Sequence, residues 1–105
     1  MKQFTIKYLP SFEEELNERM EYVINKSQDI DTALNILDAV EDAILERSSC
    51  ADSFEPILSR KNRKYPYYRI YVKDYIIYYV VYDVEDEHVM EVRSFRHRLE
   101  DRSKI

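Results

Sequence analysis

The chain has 105 residues, 45% apolar and 35% charged, which fits one hydrophobic domain over 1–105 and excludes both two cores and a disordered chain. No apolar run nears the roughly 20 residues of a membrane span, and the first residues lack the apolar core of a signal peptide. A net charge of −5 argues against a general polyanion binder, and the lone Cys50 excludes an internal disulfide, so a reducing, cytoplasmic setting is expected.

Gln3 to Leu9 alternates, with Phe4, Ile6 and Tyr8 on one side, which predicts a half-buried strand closed by Pro10. Ser11-Phe12-Glu13-Glu14 has the spacing of a capping box, with Ser11 as N-cap and Glu14 reaching back. Phe12, Leu16, Met20, Val23 and Ile24 then form the stripe of a first helix ending near Lys26. Asp29 or Asp31 caps a second helix, whose stripe is Ile30, Ala33, Leu34, Leu37, Val40 and Ile44 and which runs out near Ser48-Ser49. So short a connection makes the helices an antiparallel αα-hairpin, and their leftover apolar surface requires a sheet.

Asp52 to Pro66 has no sustained period and reads as a loop, basic at Arg60-Lys61-Asn62-Arg63-Lys64. Three strands follow, at Tyr67–Val72, Tyr75–Tyr82 and His88–Phe95. Ile70 and Val72 point opposite to Arg69 and Tyr71, and the central strand is apolar or aromatic on both faces. Lys73-Asp74 suits a two-residue hairpin turn. With no glycine in the chain, positive φ is expected at Asn or Asp, such as Asp74 or Asn62. Val84 to Glu87 reads as a charged turn.

The fold class is therefore α+β: an N-terminal strand, an αα-hairpin, then a three-stranded antiparallel meander (β-α-α-β-β-β), with the helices packed on one face of the sheet. The reverse face is expected to stay partly open, with Arg69 and Tyr71 across the central strand from Glu91 and Arg93. Charge is divided along the chain. Residues 1–59 hold five basic and thirteen acidic residues, net −8, whereas residues 60–105 hold eleven and eight, net +3. Such asymmetry hints at an interaction surface; solvating acids on helices and balancing bases on strands are the other reading.

Tyr68-Arg69-Ile70-Tyr71-Val72-Lys73-Asp74-Tyr75-Ile76-Ile77-Tyr78-Tyr79-Val80-Val81-Tyr82 resembles the second and third strands of the RelE/ParE superfamily, toxins of type II toxin–antitoxin systems. Ala33-Leu34-Asn35-Ile36-Leu37-Asp38 is similar to the start of the second helix in ParE-like members, and Val92-Arg93-Ser94-Phe95-Arg96-His97-Arg98 sits where the family's last strand runs into a His-Arg or Arg-Arg pair. The resemblance implies a growth inhibitor neutralised by an antitoxin protein, whose amphipathic helix and extended arm dock on apolar surface and basic residues. ParE-like members poison DNA gyrase. RelE-like members enter the ribosome and cleave mRNA without a metal. A non-toxic domain that merely retains the fold is a third reading.

The nuclease reading needs a base for the 2′-OH, a cation for the phosphate and an acid for the leaving oxygen. By resemblance Arg98 and Arg69 are the phosphate cations, and His97 the base or acid. Arg93, Arg96, Tyr71, Arg63 and Lys64 are candidates for contact with RNA or another target. Each has a plainer reading: His97 as a surface residue at a strand end, Arg69 and Arg93 as partners of Glu91, and the tyrosines as cross-strand packing. The long helical hairpin and the second-helix match favour the ParE-like branch, and three departures weaken the nuclease reading. Ile76 stands where RelE-like nucleases carry arginine, the closing residues Arg102-Ser103-Lys104-Ile105 lack their tyrosine or histidine, and the sequence pI is near 5.1. No cofactor is implied, and one Cys with two His gives no metal spacing.

Overall fold

The computed structural model describes residues 3–58 and 64–99, and its six elements follow the expected order. They are β1 (Thr5–Tyr8), α1 (Pro10–Ser27), α2 (Ile30–Arg47), β2 (Tyr68–Val72), β3 (Tyr75–Val84) and β4 (Glu87–His97). The strands form one four-stranded sheet in the order β1-β4-β3-β2. The meander is antiparallel, and β1 joins it parallel to β4, with Thr5 opposite Val89 and Tyr8 opposite Val92. Helix α1 packs on β4 and α2 on β2, so both helices cover the same face.

Helix α1 begins before the predicted cap. Leu9 is its N-cap, without a side-chain cap bond, and Pro10 occupies the first turn. Proline there needs no N–H partner and has its φ already set for a helix. Ser11 thus falls inside the helix, the capping box does not form, and the Ser11 hydroxyl donates to the Arg93 carbonyl at 2.8 Å. For α2 the cap is Asp29: its Oδ1 accepts from the Asp31 N–H at 3.0 Å and its Oδ2 from the Thr32 hydroxyl at 3.2 Å.

The buried residues of α2 are Ala33, Ile36, Val40 and Ile44, while Ile30 and Leu34, expected inward, are exposed. Apolar residues on this helix span more than one stripe. The side that meets the sheet includes the small Ala39 and Ala43, which allow close approach.

Positive φ falls on Gln28 (57°), Lys73 (53°) and Glu85 (56°), which corrects the expectation for Asp74; Asn62 lies outside the described residues. Both hairpins put the left-handed residue first and Asp second, as Lys73-Asp74 and Glu85-Asp86. Strands β3 and β4 extend beyond the predicted limits, so the turn between them shrinks to two residues.

The core under the helices joins Phe12, Met20, Val40 and Ile44 to Ile70, Ile77, Tyr79, Met90, Val92 and Phe95. Tyr79 is fully buried yet satisfied: its hydroxyl donates to the Ala51 carbonyl at 2.8 Å and accepts from Arg47 Nη1 at 2.9 Å. Burial raises its pKa, and the Arg47 bond and charge oppose that rise.

The reverse face is not open at its centre. Ile76, Tyr78 and Val80 point there and are only 4%, 2% and 0% exposed. The chain covers this face itself. Tyr65 lies 5.3 Å from the Tyr82 ring, Tyr67 meets Tyr78 edge-on at 6.3 Å, and the Arg93 guanidinium sits 5.8 Å from the Tyr67 ring. Register also differs from expectation, because a bulge between Tyr78 and Tyr79 leaves Arg93 unopposed. Arg69 lies across β3 from Ser94, and Tyr71 across from Arg96.

Candidate functional site

Two cross-strand rows run over the reverse face, Arg69–Tyr78–Ser94 and Tyr71–Ile76–Arg96; Arg69 and Tyr71 are exposed and Arg96 half-buried, while Tyr78, Ile76 and Ser94 are buried. Alternation along β2 puts Arg69 and Tyr71 outward while Tyr68, Ile70 and Val72 go into the core. The Arg69 guanidinium lies 5.9 Å from the Tyr71 ring, and its backbone carbonyl is held by Arg47 Nη1 at 3.1 Å. On β4, Arg96 Nε donates to the Ser94 hydroxyl at 3.2 Å, and that hydroxyl donates to Glu15 Oε1 at 3.1 Å. The same Glu15 oxygen accepts the Phe95 N–H at 3.1 Å. Glu15 thereby satisfies a β4 edge amide beyond the point where β1 stops. The result is a guanidinium beside an exposed phenol, Arg69 with Tyr71, and a second guanidinium, Arg96, two strands away, groups suited to forked hydrogen bonding with carboxylate or phosphate and to stacking.

Glu91 holds the covered part of this face together. Its Oε1 accepts from Arg93 Nε at 2.8 Å and its Oε2 from the Tyr82 hydroxyl at 2.5 Å. Burial alone would raise the Glu91 carboxyl; the bonds from Tyr82 and Arg93, with the charges of Arg93 and Lys7, bring it below the ordinary value. Bonding to Glu91, together with burial, pushes Tyr82 up to about 12. Burial would lower Arg93, but its bonds to Tyr67 and Glu91 win and raise it. Arg93 is therefore a brace for Tyr67 and Glu91, which limits its freedom to contact a target.

The three nuclease candidates do not all share one face. His97 pairs across the sheet with Tyr75, on the helix side, and its ring meets Tyr75 edge-on at 5.3 Å. Its Nδ1 accepts the Leu99 N–H at 3.1 Å, which leaves Nε2 to carry the proton of the neutral ring. It lines an open groove of about 480 Å³ with Glu15, Glu18, Arg19, Tyr22, Phe95 and Arg96. Arg69 is on the opposite face. Arg98 is exposed and approaches the Asp74 carboxylate at 3.9 Å, beside the β2–β3 turn. Lys64 is exposed, 5.4 Å from the Tyr65 ring, and Arg63 lies outside the described residues. Among the described residues no group of three or more His, Cys, Asp and Glu is placed to hold a metal ion, and no helix is long and apolar enough to cross a membrane.

Comparison with known families adds what geometry alone does not carry. Residues 6–102 match the family described as the ParE toxin of type II toxin–antitoxin system, parDE. The chain belongs to the ParE toxin family. It is a toxin of the type II class, and an antitoxin partner follows from that membership. No curated protein matches the sequence.

The toxin's covering residues escaped sequence reasoning. Tyr65 lies in a stretch without period, so nothing in the pattern tied it to the sheet; Tyr67 was expected as the first residue of a strand, and it lies just before β2, which starts at Tyr68. Glu91 did carry a signal, because a carboxylate between Met90 and Val92 in an apolar strand has to be paired if buried. Glu15 carried none: one more acid on an acidic helix gives no hint that it serves a strand edge.

Proposed function

We propose that this ParE-family toxin inhibits growth in the cytoplasm by binding and poisoning DNA gyrase, with Arg69, Tyr71 and Arg96 as the contact surface. The family match over residues 6–102 carries the reading. The separation of one candidate pair supports it as well: a base and a phosphate-binding cation must flank one reacting group, whereas His97 and Arg69 project from opposite faces. In the ParE-like reading no bond is broken by the toxin itself. The guanidinium pair and the phenol hold a surface of the enzyme, and the antitoxin keeps the toxin from it.

The test combines purified toxin with gyrase, ATP and relaxed plasmid. Supercoiling is expected to fall and cleaved DNA to accumulate. Arg69→Glu and Arg96→Glu are each expected to weaken this at least tenfold; Arg69→Glu should do so without lowering Tm, and for position 96 the comparison is made at a temperature where the variant is folded. Messenger RNA from arrested cells is expected to stay intact by primer extension. Unimpaired gyrase, or codon-spaced mRNA cleavage that disappears in His97→Ala and Arg98→Ala, would overturn the proposal in favour of the ribosome-dependent nuclease.

A further inference from the structure

Beyond the end of β1, the outer edge of β4 runs alongside helix α1. Strand β1 pairs as far as Tyr8 with Val92, and the Leu9 N–H still reaches the Val92 carbonyl at 3.0 Å. Further on, Glu15 takes the Phe95 N–H. Backbone N–H groups alternate in direction along an antiparallel strand, and the Arg98 N–H is turned inward to the Asp74 carbonyl at 2.7 Å. The His97 N–H therefore faces outward, on the same side as that of Phe95, where no strand of the described residues lies beside it.

This stretch is one wall of the groove of about 480 Å³. The other wall is one side of α1, where Glu15, Glu18, Arg19 and Tyr22 follow at intervals of three, one and three residues. The volume falls within the roughly 300–1,000 Å³ of small-molecule sites. The two walls differ in chemistry. Strand β4 supplies donors: the His97 N–H, the His97 Nε2–H and the Arg96 guanidinium, whose Nε bonds to Ser94 and whose terminal nitrogens extend past it. Helix α1 supplies the exposed Glu18 carboxylate and the ring of Tyr22, which is 54% exposed, with the Arg19 guanidinium 5.1 Å from its centre.

Inorganic phosphate alone would leave the Tyr22 ring unused and set like charge against Glu18. The walls instead suit a molecule with an anionic group at one end and a flat ring carrying two adjacent donors at the other. Guanine is such a ring, because its N1–H and its exocyclic amino group lie side by side on one edge, spaced for the two oxygens of a carboxylate. Adenine puts an acceptor, N1, next to its amino group and would turn a lone pair towards Glu18. We propose that this groove binds a free guanine nucleotide. Glu18 pairs with the base edge, Tyr22 stacks on the base, and Arg96 and His97 hold the phosphate. The site is independent of which macromolecule the toxin poisons.

The probe is guanosine 5′-monophosphate, titrated into the full 15N-labelled chain and followed by calorimetry and amide shifts. It is expected to bind at least tenfold more tightly than adenosine 5′-monophosphate, guanosine or inorganic phosphate, with shifts concentrated at residues 15–22 and 95–97. Glu18→Gln should erase the preference for guanine over adenine, because a carboxamide keeps one acceptor and turns the other into a donor. His97→Ala should weaken the monophosphate several-fold and leave guanosine unchanged. Glu18 is exposed, so unchanged melting verifies folding. Failure to saturate, equal binding of the adenine nucleotide, shifts confined to the reverse face, or an intact preference in Glu18→Gln would overturn the proposal. So would tighter binding of a guanine-bearing oligonucleotide, which would make a nucleic-acid strand the occupant. Failure of the gyrase assay leaves these binding results untouched, so the two readings fall separately.

Discussion

Removal of the Glu91 carboxylate tests the account of the covered face most directly. The residue is 6% exposed and accepts two hydrogen bonds, from Arg93 and from Tyr82. A bond to a charged group contributes about 1.5–3 kcal/mol, and a buried partner left unpaired costs about 1–3 kcal/mol. Arg93 retains 30% side-chain exposure, so water recovers part of its loss. Glu91→Ala is therefore expected to cost about 3 kcal/mol in urea unfolding, or roughly 10–20 °C in Tm for a domain of this size. Glu91→Gln should cost about half as much, because it keeps the shape and one acceptor. The pH dependence has a definite sign. The folded Glu91 pKa lies below its ordinary 4.5, so its stabilisation is fully present above that value and is lost as pH falls through the folded pKa. Wild type should thus lose more stability below pH 4.5 than Glu91→Gln does. A Glu91→Ala cost under about 0.5 kcal/mol, the scale of an ordinary surface change, or parallel acid profiles for wild type and Glu91→Gln, would refute the reasoning.

Three further outcomes follow from local geometry. Glu15→Ala should destabilise by about 1–2 kcal/mol and speed hydrogen exchange at the Phe95 amide, which loses its acceptor; Glu15→Gln should preserve most of that protection. Lys73→Gly should stabilise by up to about 1 kcal/mol in chemical denaturation, because Lys73 sits at φ 53°, a region L-residues enter at a cost. Lys73→Val should do the reverse. Ile44→Ala, at a site only 1% exposed, should cost about 2–5 kcal/mol, whereas Leu34→Ala on the exposed side should cost well under 1 kcal/mol by the same titration.

Element order was readable because period and punctuation agree along much of the chain. The alternation of Tyr68 to Val72 survives unchanged in the burial of β2, and Asp29 caps α2 through the bonds its side-chain type favours. Failures came where two local rules competed. Pro10 and Ser11 both signal a helix start; the proline prevailed and released the Ser11 hydroxyl to Arg93. On α2 the apolar residues outnumber those one face can bury, and only contact with the sheet chose Ile36 over Ile30 and Leu34. The candidate site was legible in residue type and not in arrangement. Arg69, Tyr71 and Arg96 do share a face, but one bulge displaced Arg93, and Tyr65, from the aperiodic loop, laid its ring over the sheet beside that of Tyr67. Long-range covering of that kind leaves no trace in local periodicity.

The parallel pairing of β1 with β4 carries a consequence for biosynthesis. Thr5 waits for Val89, 84 residues downstream, before its ladder forms. At about 5–20 residues per second, the ribosome needs roughly 4–17 s to supply that partner. The helical hairpin, built from neighbours in sequence, folds far sooner and has no completed sheet to rest on during this interval. Closure of the sheet is thus a late event, and a nascent chain stopped before Val89 has no strand on which to seat its first.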